Sequence, residues 1–150
     1  MAALPDGFPR PERKVEWTIL QLHFGDPAAH FELQPQPSRG LIELGLHFEG
    51  RVEANDAYAA RLSVNSVELM AALGEGWELE EWTASWRRLH RSFPFTALTS
   101  ALGREVAAQL VNGLVTLRPY MLPVPGPLAP LLVSGSHRAE RELLESPGSP

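Results

Sequence analysis

The chain has 150 residues, enough for one domain that buries a sizeable core; 44 % hydrophobic and 21 % charged residues are ordinary for a globular protein. A net charge of −5 argues against a nucleic-acid binder working by general electrostatics, which needs a basic stripe to displace counterions from phosphates. The absence of cysteine removes disulfides, zinc-thiolate sites, iron–sulfur clusters and thiol catalysis together.

Residues 1–10 carry two prolines, a glycine and no periodicity, so they read as a flexible arm. The first fourteen residues hold Asp6, Arg10, Glu12, Arg13 and Lys14 without an apolar segment, so no signal peptide is expected. Pro11 is placed as a first-turn proline. With Val15, Ile19 and Leu22 at helical spacing it predicts a first helix ending near Gly25-Asp26-Pro27, with Trp17 in the core.

His30 to Leu33 then begins a strand, with Phe31 and Leu33 facing inward. The segment Pro35 to Gly40 is expected to stay out of any ladder, because proline lacks the donor. Leu41 to Glu49 is the firmest strand: Ile42, Leu44, Leu46 and Phe48 alternate with Glu43, Gly45, His47 and Glu49. A slip of one residue would move all four apolar side chains into water, so the register is well specified. A long helix is expected over Val52 to Leu73.

The same order of elements returns with strands at Trp77 to Thr83 and Trp86 to Phe93, allowing a bulge near Trp82. A final helix spans Leu98 to Leu117, with Leu102, Val106, Leu110, Leu114 and Leu117 on one stripe, Thr99 or Ser100 as cap, and Pro119 as its stop. Two ββα units in tandem predict an α+β domain over residues 11–121, a four-stranded antiparallel sheet with helices on one face. Residues 122–150 read as a Pro-rich tail in which Ser136 to Leu144 can form a short helix. The longest apolar run, Val106 to Val124, is too interrupted to span a bilayer. A cytoplasmic protein is expected, and a basic complement in which only Lys14 is a lysine reads as high-GC coding bias of a bacterial kind.

If the apolar strand faces meet the helices, the other sheet face gathers His30, Glu32, Glu43, His47 and Glu49, joined by Trp82, Trp86, Arg88 and His90 and also by Glu80. Two readings of this face are open. A one-sided antiparallel sheet shows polar residues at every second position, with cross-strand ion pairs as ordinary decoration of a wet surface. The same alternation also supports a binding surface or a His/Glu metal or acid–base site. No catalytic residue is assigned, because no serine lies in a nucleophile elbow and Gly74-Glu75-Gly76 is no phosphate loop. No metal and no cofactor are expected, because the His/Glu pairs show neither a helical His-x-x-x-His nor a thiolate.

The strand with Ile42-Glu43-Leu44, the helix opening at Glu53-Ala54-Asn55 and the run Gly76-x-x-Leu79 into Glu81-Trp82 together resemble a small uncharacterised bacterial domain. That domain is found appended to restriction-endonuclease-like nucleases, and the resemblance covers about residues 41–93. No Asp followed by Glu-x-Lys exists here, so the resemblance implies at most an accessory role in a nuclease or restriction system. The leading expectation is a non-catalytic protein-interaction module, homodimeric through the open face or the Trp82/Trp86 turn, with a small Glu/His enzyme as the alternative.

Overall fold

The structure, a computed structural model, describes residues 3–122. The tail and its short helix expected over 136–144 lie outside the described residues. Six strands form one antiparallel sheet: β1 (Glu12–Glu16), β2 (Ile19–His23), β3 (Ala29–Gln36), β4 (Leu41–Phe48), β5 (Glu78–Glu81) and β6 (Arg87–Pro94). Their order across the sheet is β1-β2-β3-β4-β6-β5. Among the described residues there are also three α-helices: α1 (Val52–Val64), α2 (Ser66–Leu73) and α3 (Ser100–Met121). The α+β class and the antiparallel sheet are as expected, but the sheet has six strands rather than four. The second strand pair is much shorter in β5 than the first is in either strand, and the helical segments differ as well. The tandem ββα description is therefore no more than an order of elements.

The two additional strands come from the segment expected to be a helix. Residues 12–23 form a hairpin in which Glu16 pairs with Ile19 and Glu12 with His23. Its tip is Trp17, fully exposed and at φ 54°, so the residue assigned to the core is the most exposed tryptophan of the chain. Nearby, Leu4 and Phe8 of the N-terminal arm pack on the core, with Phe8 edge-on to Phe24.

The β3–β4 register follows the alternation. Ile42, Leu44, Leu46 and Phe48 are all buried, opposite Pro35, Leu33, Phe31 and Ala29. Pro35 and Gln36 lie inside this ladder, contrary to the expectation that proline would exclude them; only residues 37–40 leave it, Pro37–Arg39 as a single 3-10 turn capped by Gly40. Proline at position 35 forfeits its own donor but leaves its carbonyl available.

The helices cover this apolar face. Tyr58 of α1 stacks on Phe48 at 4.5 Å between ring centroids, and α3 crosses Phe31 at Gly113, where a Cβ would come within 2.6 Å of the ring. Glycine in mid-helix costs intrinsic stability, yet here it admits an aromatic ring and the Trp77 indole beside it. The helix expected over Val52 to Leu73 is two helices, broken at Asn65, whose side chain bonds back to the Arg61 carbonyl. Thr99 caps α3 by accepting from the Leu102 amide, and the helix runs two residues beyond Pro119 rather than ending there. The bond forgone is the one the missing amide would have made to the carbonyl of Val115, a solvent-exposed residue.

Candidate functional site

Side chains alternate across a strand, so the residues between the core positions all project from the face opposite the helices. Pairing then sorts them into rows. One row runs His23, His30, His47, Arg88, Glu80; the next runs Gln21, Glu32, Gly45, His90, Glu78. All the polar residues expected on this face are there, and Trp82 and Trp86 stand at its β5–β6 end. The ladder between β5 and β6 is continuous from Glu78 to Glu81, without a bulge.

The face is not wet at its centre, which corrects the solvated reading. His30, Glu32, Glu43 and His47 are 2, 6, 5 and 1 % exposed. Gly45 explains part of this closeness. A Cβ there would lie 2.7 Å from that of His90 and 2.9 Å from the Leu89 carbonyl, so the missing side chain lets neighbours close over the middle of the sheet.

Two polar clusters result. In the first, the Nδ1 of His30 lies 2.9 Å from the Pro27 carbonyl oxygen. That oxygen can only accept, so Nδ1 carries a proton and Nε2 faces Glu32 Oε2 at 3.4 Å. The Gln21 amide nitrogen lies between them, 3.1 Å from His30 Nε2 and donating to Glu32 at 3.0 Å. Burial acts to lower the His30 pKa, but the hydrogen bonds to Glu32 and Pro27 and the Glu49 charge outweigh it and the net displacement is upward. Burial likewise acts to raise Glu32, and the bonds from His30 and Gln21 outweigh it, so that carboxyl is held below its usual range. The His47 ring stacks on His30 at 5.6 Å; its Nδ1 is 3.5 Å from Glu49 and its Nε2 is 3.7 Å from Glu43, and Nδ1 makes no hydrogen bond among the described residues.

The second cluster is built on Arg88. Its guanidinium donates to Glu43 at 2.5 Å and, through Nε, to Glu80 at 2.6 Å, a two-carboxylate clamp across three strands. The same guanidinium lies 4.8 Å from the centre of the Trp82 ring. His90, with Glu80 at 3.2 Å and Glu43 at 4.0 Å, has its pKa pushed down by burial and by Arg88, against the pull of those carboxylates. Trp82 also lies edge-to-face on His47 at 5.4 Å and tilts against Trp86 at 5.7 Å. The turn between the two tryptophans is fixed by the Thr83 hydroxyl, which accepts from the Trp86 amide, and by Asn55, which donates to the Ser85 carbonyl.

Gln21 and Asn55 do work that the sequence reading did not assign. For Gln21 the signal was present in the alternation Leu20-Gln21-Leu22-His23, which is a strand pattern; for Asn55, buried in α1, no periodic signal exists. The expectation of no metal rested on the lack of a thiolate, which stands, and on the lack of helical ligand spacing. Direct cross-strand pairing of His30 with His47 supplies the proximity that such spacing would have provided, so that ground falls away.

The chain matches no protein-family model, no curated protein and no solved structure. Among the described residues no helix is long and apolar enough to cross a membrane.

Proposed function

We propose that this is a cytoplasmic, non-catalytic interaction module that associates with a second copy of itself through the Trp82/Trp86 lip of the polar sheet face. The observation that carries the reading is the state of Trp82, which is held from beneath by Arg88 and His47 and still leaves 40 % of its surface in water. An indole fixed in this way has lost its rotamer freedom before a partner arrives, so docking costs less ordering, and tryptophan and arginine together are the residues that dominate interface energetics. The edge strand beside it, β5, carries Glu78, Glu80 and Glu81, and like charges oppose strand-to-strand pairing there. Association by the face, with those charges at the rim, is the arrangement these residues favour.

A small enzyme working from the same face fits less well. Glu43 and Glu80 are committed to Arg88, and Glu32 is displaced toward its charged form, the opposite of what a general acid needs.

Sedimentation velocity tests the proposal. The wild-type protein should show a concentration-dependent dimer at micromolar concentrations, and Trp82→Ser should weaken it by roughly tenfold or more, the scale of an interface anchor, with helix content unchanged by circular dichroism. A wild-type protein that stays monomeric at high micromolar concentration would end the proposal.

A further inference from the structure

The first polar cluster contains a buried anion without a fixed cation. Glu32 is 6 % exposed, and among the described residues no lysine or arginine lies within ion-pair distance of it; its partners are His30 and the neutral Gln21 amide. A carboxylate so far from water demands compensating positive charge. The amide nitrogen of Gln21 supplies only a partial one, from a position between the Glu32 oxygen and the His30 nitrogen.

Two of the groups around that position are already arranged as metal ligands are. The Pro27 carbonyl holds a proton on Nδ1 of His30, so that in the neutral ring the lone pair is on Nε2, facing the cluster; this outer partner is the usual means of orienting a ligating imidazole. His30 Nε2 and Glu32 Oε2 are 3.4 Å apart. Ligands around a tetrahedral ion with bonds of about 2.0–2.1 Å are about 3.3 Å apart, so this pair is already spaced for one. His47 brings the third group: one donor atom from each of the three residues lies within 4.8 Å of the others. Its Nδ1 is buried and makes no hydrogen bond among the described residues, and Glu43 stands behind its Nε2.

We propose that His30, Glu32 and His47 form a binding site for a divalent first-row transition ion, of which zinc best suits this set of two imidazoles and one carboxylate. His47 swings toward the other two ligands, the Gln21 amide is displaced, and Glu49, 3.5 Å from His47 Nδ1, is the nearest carboxylate for the remaining position. The ligands of this site lie on β3 and β4 rather than on the Trp82/Trp86 turn, and although His47 also touches Trp82, metal binding is read out separately from self-association.

The test is calorimetric titration of zinc chloride into the metal-stripped full-length protein. One saturable site per chain is expected, and His47→Ala and Glu32→Gln should each weaken it by roughly tenfold or more, given that loss of an outer partner alone costs that much. Failure of the wild type to bind, or unchanged affinity in both variants, would overturn the proposal. Should either variant fail to fold, the wild type decides alone by the nitrogen resonances of its histidine side chains. Zinc should shift those of His30 and His47, and binding without a shift at either ring places the ion elsewhere and refutes the site.

Discussion

Leu44 shows what a single position in this sheet can and cannot reveal. It is fully buried between Leu33 on β3 and Arg91 on β6, at the centre of the apolar face. Leu44→Ala should lower the unfolding free energy by about 2–5 kcal/mol, the range for leucines truncated in close-packed cores, as measured by denaturant titration; a loss below about 1 kcal/mol would mean the face is not the core. That prediction needs only the period-two alternation, which is local and therefore legible. The same alternation places Glu43 and His47 on the opposite face, and it did so correctly. It says nothing of their burial, because burial depends on side chains from four neighbouring strands and on Gly45 leaving its place vacant. Exposure is a sum over the sheet, whereas facing is a property of one strand.

Among the elements, the hairpin of β1 and β2 is where sequence periodicity was ambiguous. Val15, Ile19 and Leu22 fit a helix, while Leu20 to His23 fit a strand, and no Asn-Gly or Asp-Gly marks the turn between them. The turn instead uses Trp17 in the left-handed region, where a β-carbon crowds the backbone and tryptophan has no local compensation. Trp17→Gly should relieve this strain, and because the indole is fully exposed the substitution removes no packing. The expected result is a higher thermal midpoint with an unchanged denaturant slope. A lower midpoint would show that the ring has a partner or that the hairpin depends on it. The break at Asn65 was hidden for a related reason: Val64 and Val67 keep helical spacing across it, and only the return bond to the Arg61 carbonyl marks where the helix stops.

Over the whole molecule, one sheet has two faces with opposite chemistry, and the polar face couples its stability to pH. His90 is held below the ordinary histidine value of 6.5, first by burial and then by Arg88 on its own strand, with His47 acting in the same direction and Glu43 of β4 and Glu80 of β5 opposing. A folded pKa below the unfolded one means that the unfolded chain takes up this proton first as pH falls. The stability tied to His90 is therefore present above 6.5 and is lost as pH drops through that value toward the folded pKa. His30 has the opposite sign: its folded pKa is raised, so its contribution is complete below 6.5 and is lost as pH rises through the folded value. The two partly cancel in the wild-type curve, and a shallow dependence there would conceal both. The informative quantity is the difference between the wild type and His90→Asn, measured in metal-free buffer at a series of pH values. As pH falls from about one unit above to about one unit below the ordinary histidine value, the wild type should lose stability relative to the variant, because the variant has no proton to exclude. A difference that stays flat across that interval would mean the His90 ring is not held neutral by its surroundings. A difference that grows in the wild type's favour would mean that Glu43 and Glu80, rather than burial and Arg88, dominate its field.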